Sequence, residues 1–451
     1  MKNQPIFAIC LMAFVLATPH RALAAQCEAL PDPCDPCESV CNPCDNICPT
    51  GSFGKYLTEK SIFDSPIFEN QLIGKKSKSR VAFYGWMLTG ITVNNHGATT
   101  EYQDTKSAFT YPSRLGHNGQ PIGNNMTEDS GNTYVLQTEQ QTDWKFNQVW
   151  FGAKRDLTDS FDWGFQSDFF FGTDGRYSRN WGDQSFDYYW SKGDYFANFP
   201  QLFATVGTKK LYAKIGKFAG GFSTEGLAAP REFFYSHAMI AFGRPLVAEG
   251  VVVEWNPNKK WTISGGWLAG IMNSMFENPY DESAFLGKMT YRMTETTALS
   301  YRVFYWDMTQ KNSVRNQSQT VIFTWKIDPK LSYMGEISYS DNQLGDSAIG
   351  DSWGINNHLI YTINEKWSVG TRAEYHYSRG LSFDTRGVTG GEGGDLWEFT
   401  LATNYKINPK TTFRPEIRYD YTDYKNGYRP FGGDNSKKDQ LSGGCSFIVM
   451  F

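Results

Sequence analysis

Six of the eight cysteines lie in one short run, at Cys27, Cys34, Cys37, Cys41, Cys44 and Cys48. Thiolates at CxxC spacing are the soft ligands that zinc and iron–sulfur clusters use. Here the spacing departs from the ferredoxin run and no histidine stands nearby. In an oxidising compartment the same residues form disulfides or intermolecular cross-links, and this is the preferred reading, with metal as the alternative. The run is a tandem of seven-residue units, 34–40 and 41–47, whose sulfurs would share one helical face. Pro36 and Pro43 interrupt any such helix, so an irregular leader is expected. Catalysis finds less support. Nucleophilic chemistry needs a base beside the nucleophile, and the histidines beyond the N-terminal segment (His96, His117, His237, His358 and His376) accompany no GxSxG or HExxH motif. The spacing of Asp174, Asp183 and Asp187 misses the EF-hand pattern. No enzyme activity, cofactor or metal is therefore expected, and a net charge of -4 gives no nucleic-acid surface.

The elements that position these residues begin with an export signal. Lys2 precedes an apolar core at 6–17, and Ala22-Leu23-Ala24 supplies small residues for cleavage. That core is too short to span a bilayer well. Gln26 sits where a lipoprotein signal needs a small residue before Cys27, which argues against a lipid anchor. The chain thus divides into a signal peptide (1–25), a cysteine-rich leader (26–50), a linker ending in basic residues (51–80) and a large C-terminal region (81–451).

The C-terminal region alternates. Across 411–422 the odd positions carry Thr411, Phe413, Pro415, Ile417, Tyr419 and Tyr421, whereas the even ones carry Thr412, Arg414, Glu416, Arg418, Asp420 and Thr422. Successive side chains of a strand point to opposite faces, so one face is apolar and the other charged. The same code recurs at 161–171, 320–327, 367–377 and 397–406, in segments long enough for a tilted transmembrane strand. Short breaks such as Asp328-Pro329-Lys330, Asn364-Glu365-Lys366 and Asn408-Pro409-Lys410 alternate with long polar ones at 94–143, 173–200, 219–244, 272–282, 308–316, 342–351, 380–394 and 423–439. This pattern predicts an all-β transmembrane antiparallel barrel of about sixteen strands, its turns periplasmic and its loops outside. An even count leaves both ends on one side, and the leader would lie in the periplasm. The final strand, 441–451, ends in Phe451 and should close against the first, with Cys445 on the lipid face.

Tyr84-Gly85-Trp86 in the first strand, the segment Phe413-Arg414-Pro415-Glu416-Ile417-Arg418-Tyr419-Asp420 and the pair Asp439-Gln440 resemble the OmpL-like family of bacterial β-barrel porins. The resemblance covers about 81–451 and omits the leader. It implies a passive outer-membrane pore for small hydrophilic solutes or ions, surrounded by lipid, with no catalytic residues. From the porin class comes the further expectation of a homotrimer.

In the sixteen-strand reading, 219–244 is the third long loop, joining the fifth and sixth strands. General porins narrow their channel with the loop in that place. By this analogy Glu225, Arg231, Glu232, His237 and Arg244 are constriction candidates. The lumen-facing residues Arg292, Arg302, Glu336, Arg372, Glu374, Glu398, Arg414, Glu416, Arg418 and Asp420 would form the opposite wall. Both signs face inward, which predicts a weakly selective channel; for any one residue the plainer role is a lumen ion pair. The rival function is a structural envelope protein, its barrel fastened to a partner through the cross-linked leader.

Overall fold

The computed structural model describes residues 80–96, 144–177, 190–192, 195–219, 221–242, 247–271, 282–308, 314–344, 347–380, 393–425 and 436–451, with Gly427, Arg429, Phe431 and Gly432. The expected signal peptide, leader and linker across 1–79, the six leader cysteines, His117, Asp183, Asp187 and Arg244 lie outside the described residues.

Among the described residues, sixteen long strands and one two-residue piece form a single sheet that closes on itself. They are β1 (Ala82–Asn94), β2 (Lys145–Arg155), β3 (Asp162–Gly172), the short β4 (Ser191–Lys192), β5 (Tyr195–Gly207), β6 (Leu211–Ala219), β7 (Val247–Asn258), β8 (Trp261–Ile271) and β9 (Glu282–Arg292). The wall continues through β10 (Thr297–Met308), β11 (Val314–Lys326), β12 (Leu331–Leu344), β13 (Ser347–Thr362), β14 (Trp367–Gly380), β15 (Gly394–Asn408), β16 (Thr411–Tyr424) and β17 (Asp439–Met450). Neighbours are antiparallel, and β17 pairs with β1 in register Trp86↔Met450 to Asn94↔Ser442. Phe451 completes the seam by exchanging backbone hydrogen bonds with Gly85 at 3.0 and 3.1 Å. Closure leaves no edge to template aggregation. Among the described residues no helix is long and apolar enough to cross a membrane; the strands cross it.

Alternation in the sequence becomes alternation of burial. In β16, Arg414, Arg418, Asp420 and Thr422 are buried inside, whereas Ile417 and Tyr419 are exposed outside. This inverts a soluble core, because the apolar face meets lipid and the polar face meets lumen and loop. Outside, aromatic pairs gird both ends. Trp261–Tyr291 and Trp367–Tyr405 stack at 4.4 Å at the turn end, and Trp353–Tyr375 and Tyr375–Trp397 lie 5.0 and 5.5 Å apart at the loop end. Between these belts lie Leu359, Leu401 and Ile417, an aliphatic band. Cys445 shares this outward parity, opposite Pro415 and Ile91.

Several strands run further than their polarity suggests. Residues 314–316 and 342–344, read from sequence as loop, are strand. Asn316, Ser340 and Asn342 face inward and bond one another, Asn316 Nδ2 donating to Ser340 Oγ at 2.8 Å and to Asn342 Oδ1 at 2.7 Å. Polar residues end a strand in a soluble sheet, but a polar lumen accommodates them. Likewise β5 begins at Tyr195, inside the expected 173–200 loop.

Candidate functional site: the inward loop and the lumen beside it

The loop between β6 and β7, the fifth and sixth long strands, turns into the barrel over its described residues 221–242. Apolar side chains hold it at three places. Phe222 packs edge-on to Phe304 at 4.9 Å. Leu227 and Ala229 sit on the stacked rings of Trp86, Trp150 and Phe170, where Trp86–Trp150 is 4.4 Å and Trp150–Phe170 is 4.9 Å. Phe233 and Phe234 pack against Ile360 and Ala402.

A loop inside a barrel carries backbone groups that no strand ladder satisfies, and leaving one buried and unpaired costs about 1–3 kcal/mol. The wall supplies the partners. Carboxylates accept from loop N–H groups: Glu336 from Thr224 N–H at 2.8 Å and Ser223 Oγ–H at 2.9 Å, Glu416 from Tyr235 and Ser236 N–H at 2.7 and 2.9 Å, and Glu374 from Met239 and Ile240 N–H at 2.8 and 2.6 Å. Guanidinium groups donate to loop carbonyls. Arg302 reaches Gly221 and Ser223 at 2.7 and 2.8 Å, Arg414 reaches Glu232 and Phe234 at 2.8 and 3.1 Å, Arg372 reaches Ser236 at 2.7 Å, and Arg418 reaches His237 at 2.6 Å. On the other flank Gln148 donates to Leu227 C=O at 2.7 Å, and Tyr235 donates to Asn147 at 3.1 Å.

The centre of this strap is Glu225. Its carboxylate takes Arg372 Nη1 at 2.9 Å and Ala238 N–H at 2.8 Å, with His237 Nδ1 and His358 Nε2 at 3.3 and 3.4 Å. Burial alone would raise this acid, but Arg372, His237 and His358 overcome it and hold the carboxyl well below the usual range. Glu232 goes the other way. Burial, reinforced by the charge of Glu225, raises it well above its ordinary value despite the Gly226 N–H it accepts at 2.8 Å. Behind Arg372 the ions continue along the wall, to Glu398 at 3.1 Å, while Arg418 pairs with Asp420 at 2.7 Å and Gln440 donates to Asp420 at 2.9 Å.

Beside the strapped loop lies a cavity of about 410 Å³, within the roughly 300–1,000 Å³ of small-molecule pockets. Loop residues Phe222 to Leu227 form one side, and Thr262, Thr290, Ser300 and Thr324 of the wall form the other. At the turn end it is lined by Lys209, Lys210, Lys259, Lys260 and Arg292.

Of the residues expected at the constriction, Glu225, Arg231 and Glu232 line this cavity, and His237 is buried behind it against Glu225. Of the expected opposite wall, Arg292 and Arg302 line the cavity. Glu336, Arg372, Glu374, Arg414, Glu416 and Arg418 stand instead against the loop and bond it, so they do not face it across water. Glu398 and Asp420 support the arginines from the row behind. Sequence reasoning missed the amide partners Asn147 and Gln148, which no periodicity marks, and the lysines of the turns. The latter did carry a signal, since Lys closes turn after turn.

The family described as "Putative beta-barrel porin-2, OmpL-like" matches residues 118–451. No curated protein matches the chain in sequence. Among solved structures, an anion-selective porin from Comamonas acidovorans aligns with a TM-score of 0.54 at 9% identity, over 82% of this chain and 99% of that one. OmpF of Salmonella typhi, solved in complex with daunomycin, gives 0.52 at 9% identity, over 82% and 97%. The outer membrane channel DcaP of Acinetobacter baumannii gives 0.51 at 11% identity, over 84% and 99%. At such identities these likenesses establish the fold alone, whereas the family match spans most of the chain. The inward loop and closed barrel thus sit in a chain that belongs to the OmpL-like β-barrel porin-2 family of the bacterial outer membrane.

Proposed function

We propose that the protein lets small hydrophilic solutes and ions diffuse passively across the outer membrane, through the part of the lumen that the loop leaves uncovered. The carrying observation is the strap itself, with the cavity beside it. Wall carboxylates and arginines fix the loop to one side, and hydroxyl side chains line the other side of the remaining space. A plug would leave no space beside it; this loop, held at several points of the wall, narrows the lumen and leaves a cavity along one flank. Both ends of the barrel, Ala82 and Met450, lie at the turn end, which supports a periplasmic turn end and a periplasmic place for the 26–50 leader. The test is single-channel recording of the purified, refolded protein in a planar bilayer. Steps of constant size are expected, and Ala228→Trp, which adds bulk at the cavity lining, should shrink them. Silence from folded, inserted protein would count against diffusion and favour a scaffold role.

A further inference from the structure

At the turn end each strand from β6 to β17, or the residue that leads into it, contributes one position to a circuit that runs over twelve of the sixteen long strands and leaves out β1 to β5. Its members are joined in pairs by backbone hydrogen bonds: Asn256 N–H to Lys210 C=O, Arg292 to Lys260, Lys326 to Thr296, Thr362 to Lys330, Lys406 to Lys366 and Met450 to Lys410, all at 2.7 or 2.8 Å. All twelve positions share the parity of the buried, lumen-facing residues on their strands, such as Lys214, Thr262, Ile322, Met334 and Arg414. Eight of the twelve are basic and none is acidic. The acids nearby are otherwise placed or engaged. Glu254 accepts from Tyr212 Oη–H at 2.9 Å, Asp156 pairs with Lys154 at 3.2 Å, and Asp328 accepts the N–H groups of Lys330 and Leu331. Among the described residues, Asp159 is the one acid at the turn end of the cavity, 3.9 Å from Lys209 and outnumbered there by Lys209, Lys210, Lys259, Lys260 and Arg292. Glu295 and Glu365 stand at the exposed turn tips. Charges of both signs pair at the loop end, as in Arg379–Asp351 at 2.7 Å and Lys438–Asp423 at 2.6 Å, and at the β2–β3 turn outside the circuit, as in Arg80–Asp162 at 2.8 Å.

We propose that this basic circuit makes the turn-end mouth an anion filter, so that the solutes of the pore are small anions, inorganic ions and short carboxylates. The inference rests on the diffusion reading and sets its substrate class. Rings of one sign at a pore mouth raise the local concentration of counter-ions and repel co-ions. Three of the eight, Lys210, Lys260 and Arg292, also line the cavity with Lys209 and Lys259, so the positive field continues from the mouth into the path. Inside, Arg302 lines the cavity, buried and with Nη1 committed to the loop, and adds its positive charge to the field along the path.

The experiment is the reversal potential of the full chain in a neutral planar bilayer under a tenfold KCl gradient. A chloride-to-potassium permeability ratio above about 3 is expected with 0.1 M salt on the dilute side, falling as salt rises because the screening length there is only about 10 Å. K260Q/R292Q should bring the ratio toward 1 while steps persist, and K366Q alone should lower it less. Inorganic phosphate added to the turn end should reduce chloride current more than when added to the loop end. A ratio of 1 or below, or one unmoved by K260Q/R292Q, overturns this inference and leaves diffusion standing. A folded barrel that conducts nothing overturns both. If K260Q/R292Q does not fold, the wild-type ratio, its salt dependence and K366Q decide the matter.

Discussion

The wall from β12 to β16 and the turn-end arc from β6 to β16 both turn charged side chains inward, yet they use them differently. Along the first, Arg372, Arg414 and Arg418 are at most 2% exposed and each is spent on a loop carbonyl or a neighbouring carboxylate. Taking an ion out of water costs several kcal/mol, so these groups are tolerable only because each is paired. Along the second, Lys210, Lys260 and Lys330 are exposed at turns. Their charge is hydrated, so it contributes little to stability and acts on what passes. Charge of the same chemical kind is architecture where the loop covers it and selectivity where water reaches it.

The strongest way to break this comparison is Arg372→Met. The change leaves Glu225 and Glu398 buried without their guanidinium, which should cost about 3–5 kcal/mol. Lys260→Gln, at the hydrated mouth, should stay within about 0.5 kcal/mol. Urea unfolding of the refolded barrel in lipid reports both. Single channels of the Arg372→Met protein should be larger and noisier as the loop loosens. Equal costs for the two variants would show that burial does not separate the regions. Next in size is the outer face. Ile417, exposed near the middle of β16, should cost about 2–4 kcal/mol when changed to Lys at bilayer depth. On Arg418, one residue further, the charge is native and paired.

Most of the barrel is legible in the sequence because its physics is local. Period-two alternation follows from the pleat, and Asn, Asp and Pro before Lys mark the turns whatever the tertiary context. The even-numbered arginines and acids of β16 could be assigned to the lumen from their parity alone. What they face could not. Arg414 bonds Glu232 and Phe234, some 180 residues away, and no pattern within β16 encodes that. The ends of β11 and β12 are hidden for a related reason, since Asn316 and Asn342 look like loop residues until register sets each beside the other on the neighbouring strand. The lysine circuit was visible residue by residue as turn punctuation. Its continuity appears only when register brings Lys260 beside Arg292 and Lys366 beside Lys406.

Acid separates the groups that hold the loop region more finely. Glu225 has a depressed pKa, so its stabilising contribution is complete above the ordinary carboxylate value and is lost only as pH falls through the depressed one. The transition in channel size that Glu225 controls should therefore lie in acid stronger than about pH 5, and Glu225→Gln should abolish it. Asp174, in the 3-10 turn Thr173–Tyr177, is the counterpart. Burial raises it to about 6, against hydrogen bonds from Gln148 and Asn147. Its ionisation destabilises the fold progressively as pH rises from the ordinary value through about 6. Asp174→Asn should accordingly stabilise the barrel at pH 8 and have little effect at pH 4. The opposite ordering in a pH-resolved melting series would reverse the assignment.

The smallest effect belongs to the turns. Asn364 Oδ1 accepts the N–H groups of Lys366 at 2.9 Å and Trp367 at 3.0 Å. Asp328 and Asn258 do the same one and three turns earlier, and Thr294 and Thr208 substitute a hydroxyl. The Asn364 side chain fixes where Lys366 leaves the backbone, while carrying no charge of its own. Asn364→Ala should cost about 0.5–1.5 kcal/mol, the net worth of an intramolecular hydrogen bond or two in a wet site. Because Lys366 remains, the reversal potential should be unchanged, whereas K366Q should leave stability alone and lower the anion preference. If Asn364→Ala shifted selectivity as much as K366Q, the position of the lysine would matter as much as its charge, and the mouth would act as a shaped site and not as a diffuse field.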